Sequence, residues 1–124
     1  MITLATLPNA TPQEVFDQAV RHILTQNAKA SDGCICFYRS PKGLKCAAGC
    51  FISDTEYKEQ FENKNWECLV IDSYVPNEHD VLICDLQCVH DNNKIEEWPL
   101  ELKRLASIHN LNDNVLKEFA SEVL

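Results

Sequence analysis

Residues 34–57, CICFYRSPKGLKCAAGCFISDTEY, decide how the rest of the chain is read. Ser40-Pro41-Lys42-Gly43 is a turn signal, because Pro41 presets φ and Gly43 accepts the positive φ that closes such a turn. Ile35-Cys36-Phe37-Tyr38 before it is β-prone, and Leu44-Lys45-Cys46-Ala47 follows. The pair predicts a short hairpin over residues 34–47. Alternation puts Cys36 and Tyr38 on one face, and Ile35, Phe37 and Arg39 on the other. Gly49, among small residues, marks a close backbone approach or a sharp change of direction. Ser53 and Glu56 fit a capping box that opens a helix carrying Tyr57 and Phe61. An isolated two-stranded hairpin is marginal in water, so helices must cover this one.

Upstream, residues 1–10 read as an extended lead-in. Thr11-Pro12-Gln13-Glu14 is a helix start: a capping hydroxyl, proline at the first position and a reciprocal glutamate. Val15, Phe16, Ala19, Val20, Ile23 and Leu24 then form one apolar stripe, which predicts a helix over 12–27. Downstream, the dense apolar run Trp66–Val75 fits either a buried strand or a short buried helix; Trp66, Val70 and Tyr74 share a helical face, which favours the helix, and Pro76 ends it. Leu82, Ile83, Leu86 and Val89 mark a helix opened by Asn77 and Asp80. Leu102, Leu105, Ala106 and His109 mark one starting at Trp98-Pro99, and Val115, Leu116 and Phe119 a last short one. The expectation is a single α+β domain over 1–124, mostly α, with about six helices around the hairpin.

The string Cys36-x-Tyr38-Arg39, Pro41-x-Gly43-Leu44-Lys45-Cys46-Ala47-x-Gly49-Cys50, Ile52-x-Asp54-x-x-Tyr57 resembles a motif of small proteins encoded by bacteriophages and prophages. Leu86-Gln87-x-x-His90-Asp91 and Trp98 extend the likeness, which spans residues 12 to 110. Residues 62–65, Cys34 and Cys68 depart from the pattern. The resemblance implies a genomic setting rather than a chemistry.

Charge and cysteine content narrow the function. The chain carries a net charge of −8, unevenly spread. Residues 1–53 hold five basic and three acidic groups, residues 54–97 three basic and twelve acidic. Such a middle segment disfavours direct binding to nucleic acid or anionic lipid and suits a partner with a basic groove. No apolar run reaches the ~18 residues of a membrane span, and no signal peptide is legible, so a cytoplasmic setting is expected. Seven cysteines there read as reduced, mostly buried thiols.

Four constellations remain. Cys34, Cys36, Cys46 and Cys50 flank the hairpin and are weak zinc candidates, as are His79, Cys84, Cys88 and His90; neither spacing is specific to zinc, and no cofactor is expected. Cys46 or Cys50 with His90 and Asp91 supplies the residue types of a thiol hydrolase without its motif. Tyr38, Arg39, Lys42 and Lys45 offer a cationic hairpin tip for phosphate or an acidic segment. Glu56, Glu59 and Glu62 belong to an acidic surface able to imitate a row of phosphates. The leading expectation is a non-enzymatic, phage-type accessory protein binding a host or phage protein complex, most specifically an inhibitor of a bacterial defence complex such as a CRISPR effector. The alternative is a small-molecule or nucleotide-sequestering module built on Tyr38, Arg39 and Lys45.

Overall fold

The computed structural model describes residues 1–32 and 35–120. It is the expected mostly helical α+β arrangement; the described residues form five α-helices, slightly fewer than the six expected, and one two-stranded antiparallel hairpin. Helix α1 spans Pro12–Gln26. Its capping box is complete: the Thr11 hydroxyl accepts from the Glu14 N–H at 3.1 Å, and the Glu14 carboxylate accepts from the Thr11 N–H at 2.9 Å. Val15, Phe16, Ala19, Val20 and Ile23 are buried along one face, as the stripe predicts. Asn27 ends the helix in the left-handed region, φ 50°.

The hairpin forms one step earlier than the turn signal suggests. Strand β1, Ser31–Asp32, pairs with β2, Ile35–Cys36, in the register Ser31↔Cys36 and Asp32↔Ile35. The Ser40–Gly43 turn is present, with Gly43 at φ 84° and its N–H on the Ser40 carbonyl at 2.9 Å. Only one bridge, Arg39↔Lys45, joins the segments flanking it. The missing ladder has a cause: its donors and acceptors are used elsewhere. The Tyr38 and Arg39 N–H groups donate to the Glu62 carboxylate at 3.0 and 3.1 Å. The Lys45 N–H donates to Gln26 Oε1 at 3.0 Å, and the Lys45 carbonyl accepts from Gln26 and His22, both at 2.8 Å.

Residues 1–10 are not extended. A turn at Thr3–Thr6 leads into a 3-10 turn at Leu7–Asn9, with Leu7 fully buried. Gln18 holds the Ile2 backbone with two hydrogen bonds, 2.7 and 2.9 Å. The expected helix after Ser53 is also absent. Glu56 does accept from the Ser53 N–H at 3.0 Å, but the same carboxylate takes the Leu4 and Ala5 N–H groups at 3.1 and 3.0 Å. One turn closes there, the chain extends at Lys58, and a 3-10 turn follows at Glu59–Phe61. A cap without propagation does not make a helix, since nucleation is the costly step.

Glu56 gives a testable pH dependence. Partial burial pushes its carboxyl up, but the backbone donors at Ser53, Leu4 and Ala5 outweigh that and hold it below the usual range. A depressed folded pKa contributes stability that is present above the unfolded value, about 4.3, and is lost as pH falls through the folded one. Glu56→Gln is therefore expected to cost about 1–2 kcal/mol at pH 7 and to flatten the acid limb below about pH 4. Urea unfolding at stepped pH checks this; an unchanged acid limb would remove the Glu56 assignment.

Helix α2, Trp66–Ile71, is shorter than the expected 66–75. Asn65 caps it by accepting from the Cys68 N–H at 2.8 Å. Ser73 at φ 62° and a Tyr74 N–H to Leu69 carbonyl bond at 2.9 Å finish it. Helix α3, Asp80–Asn92, packs against α1, α2 and α4, the last being Trp98–Ile108. A 3-10 turn at Asn114–Leu116 precedes the short α5, Lys117–Ala120. Trp66, Trp98, Phe16, Phe51 and Phe61 are the largest fully buried side chains. Each contributes roughly 1.5–3 kcal/mol by burial. Among the described residues no helix is long and apolar enough to cross a membrane.

Candidate functional site

Helix α3 presents two different faces. Inward, Gln87, His90 and Asp91 reach across to the first half of the chain. Gln87 Oε1 accepts from the Ala48 N–H at 2.9 Å, and its Nε2 donates to Asp91 Oδ1 at 2.8 Å. His90 is fully buried and stacks on Trp98, ring centroids 5.4 Å apart. Its Nδ1–H donates to Asp91 Oδ1 at 2.7 Å, and its Nε2 accepts from the Ala30 N–H at 3.3 Å. Burial pushes the Asp91 carboxyl up, but hydrogen bonds from His90 and Gln87 bring it below its ordinary value. Cys36, Tyr38, Cys46, Gln87 and Asp91 line a cleft of about 170 Å³. Segments 36–46 and 87–91, about forty positions apart in the chain, thus meet at one cleft.

This network is not arranged for thiol catalysis. A nucleophile needs a base with a free lone pair beside it. Here Asp91 stands between Cys36 and His90, and the second imidazole nitrogen is already engaged by Ala30. Burial, then the Asp91 charge, pushes the Cys36 thiol up. Cys46 is buried and its sulfur accepts from the Gly49 N–H at 3.2 Å; burial pushes its pKa up strongly. Cys50 donates to the Ala47 carbonyl at 3.1 Å, and burial pushes it up to about 12. Such thiols are poor nucleophiles at neutral pH.

The described members of the two zinc sets are not assembled either. Among the described residues no three His, Cys, Asp or Glu side chains are placed to hold a metal ion. Cys36 and Cys46 line one cleft, but with Cys50 they form no such group. Cys34 lies outside the described residues.

The cationic tip is largely used inside the fold. Tyr38 is 7% exposed, and its hydroxyl donates to the Lys64 carbonyl at 2.6 Å. Arg39 donates to Asp54 at 2.8 Å and lies over the Tyr57 ring, 4.6 Å from its centroid. Lys42 is exposed on the turn and Lys45 is half-buried. Of the acidic candidates, Glu59 is exposed. Glu56 and Glu62 serve as internal acceptors, Glu62 also taking the Tyr57 hydroxyl at 2.7 Å.

Outward, α2 and α3 form a different kind of surface. Residues 65–93 contain six carboxylates and no lysine or arginine. Glu67, Asp72 and Glu78 are exposed, and Asp80 and Asp85 half-exposed. Burial and the charges of Asp80 and Glu67 push the Cys84 thiol up, with Asp85 contributing, so carboxylates of both helices gather around it. Ile71 and Val81 are 72% and 63% exposed. Of the five outward carboxylates three have partners: Asp72 sits 3.6 Å from Lys64, Asp80 accepts from the Val81 N–H at 2.8 Å, and Asp85 accepts from His109 at 2.7 Å.

No protein-family model matches the chain, nor does any characterised protein or solved structure. The acidic face was within reach of sequence reading as an uninterrupted stretch without cations. The sequence marks Glu67, Glu78, Asp80 and Asp85 as acidic surface together with Glu56, Glu59 and Glu62 just upstream, whereas the exposure of Ile71 and Val81 has no sequence signal, since both sit in apolar runs.

Proposed function

We propose that the chain is a non-catalytic accessory protein whose α2–α3 face binds a basic surface of a macromolecular partner. The observation that carries this is the run of five outward carboxylates from Glu67 to Asp85, with no lysine or arginine among them, beside exposed Ile71 and Val81. Carboxylates on two packed helices offer a row of negative charge, and the aliphatic pair offers area to desolvate. A groove that handles nucleic acid has the complementary charge. Together with the phage-type motif, this supports an inhibitor of a bacterial defence complex, such as a CRISPR effector, acting by occupying its nucleic-acid groove.

The test is target-DNA binding by purified host effector complexes, with and without the chain. The expected result is stoichiometric loss of DNA binding by one complex, weakened by salt as screening requires. Glu67→Lys, Asp80→Lys, Asp85→Lys in one variant is expected to lose the inhibition by at least tenfold. Undisturbed DNA binding in every complex, or an equally potent triple variant, removes the proposal.

A further inference from the structure

A groove of about 960 Å³ runs between the end of α1, the start of α4 and α5. None of its lining residues belongs to α2 or α3, so it is independent of the acidic face. Its volume is within the ~300–1,000 Å³ usual for small-molecule sites. The apolar part is made by Leu24, Leu100, Leu116 and Phe119. Leu100 is 54% exposed there, a large side chain left without apolar cover. Among the described residues, Lys103 and Lys117 also line the groove, against a single carboxylate, Asp113. Neither lysine enters an ion pair among the described residues. Glu118, next to Lys117, is taken by Arg21 through two hydrogen bonds of 3.1 and 2.8 Å.

A locally cationic groove is the opposite of what the chain's net charge of −8 favours. Its two halves ask for different chemistry: an aliphatic body to cover the leucines, and an anion to meet two ammonium groups. A hydrophilic metabolite leaves the apolar part wet, and a neutral lipid leaves the lysines uncompensated. We infer that this groove binds a free long-chain carboxylate, its alkyl chain along Leu24, Leu100 and Leu116 and its carboxylate between Lys103 and Lys117.

The experiment is a calorimetric titration of the full chain with laurate, below the concentration at which laurate forms micelles. One saturable site is expected. Lys103→Gln and Lys117→Gln are each expected to weaken it about tenfold, the scale of one charge-assisted contact. Dodecanol, of equal chain length and without charge, is expected to bind more weakly than laurate by a similar factor. Both lysines are exposed, so the variants are expected to keep the wild-type melting midpoint without ligand while losing its rise with laurate. Absence of a saturable site in the wild-type chain overturns the inference. Equal affinity for laurate and dodecanol, or unweakened lysine variants, also overturns it. Uptake of the chain by anionic phospholipid vesicles with no binding of free laurate does so too, because the groove would then read a bilayer surface.

Discussion

Gly49→Ala is expected to lower stability by about 3 kcal/mol or more, as overpacking against fixed backbone does. A Cβ at Gly49 would collide with the Tyr38 carbonyl oxygen and lie 3.0 Å from its carbonyl carbon and 3.2 Å from its Cα. Backbone is a poor neighbour to push, and Tyr38 is held on two sides. Its N–H is bonded to Glu62, and its buried side chain is tied to the Lys64 carbonyl. Gly43 makes the comparison sharp. Nothing lies within 4 Å of a Cβ built there, yet its φ is +84°. Gly43→Ala is expected to cost only the left-handed penalty, about 1–2 kcal/mol. Urea midpoints at an unchanged m-value measure both. A Gly49→Ala cost below that of Gly43→Ala would mean that residues 46–50 slide off Tyr38 freely, contrary to the packing described.

His90→Ala is expected to be comparably severe, about 3–4 kcal/mol. The ring is fully buried, so its loss leaves a cavity beside Trp98. It also strands the Ala30 N–H and removes one donor from Asp91. His90→Phe separates the two contributions, because it keeps an aromatic stack on Trp98 and discards both hydrogen bonds. Recovery of about half the loss is expected, the remainder being the cost of unpaired polar groups, about 1–3 kcal/mol. Thermal and urea unfolding read the sizes. A phenylalanine variant as stable as the wild type would show that the His90 hydrogen bonds contribute nothing, and that the imidazole is held there only for its shape.

What could be read from the sequence was what depends on neighbours in the chain. Thr11, Pro12 and Glu14 define the start of α1 within four residues, and the helix begins where they place it. The Ser40–Gly43 turn is local in the same sense and is present. The failures share a different cause. The hairpin ladder around that turn is pre-empted by Glu62 and Gln26, which come from outside it. Ser53 and Glu56 make the hydrogen bond of a capping box, yet the same carboxylate is committed to Leu4 and Ala5, about fifty positions away. No window of local pattern contains such a commitment. The same holds for the site: an acidic stretch is visible as composition, whereas the withdrawal of Tyr38, Arg39, Glu56 and Glu62 into internal contacts is visible only once the chain is folded.

Glu62 has a consequence for what the turn segment can recognise. Two successive backbone N–H groups, at Tyr38 and Arg39, converge on its carboxylate, the arrangement by which a peptide backbone receives an anion. The seat is thus already filled by a ligand carried on the same chain. A tethered group of this kind competes at an effective concentration in the millimolar range or above. A free phosphate or acidic peptide present at micromolar levels is outcompeted there by simple mass action, so the segment behaves as a receptor supplied with its own permanent antagonist.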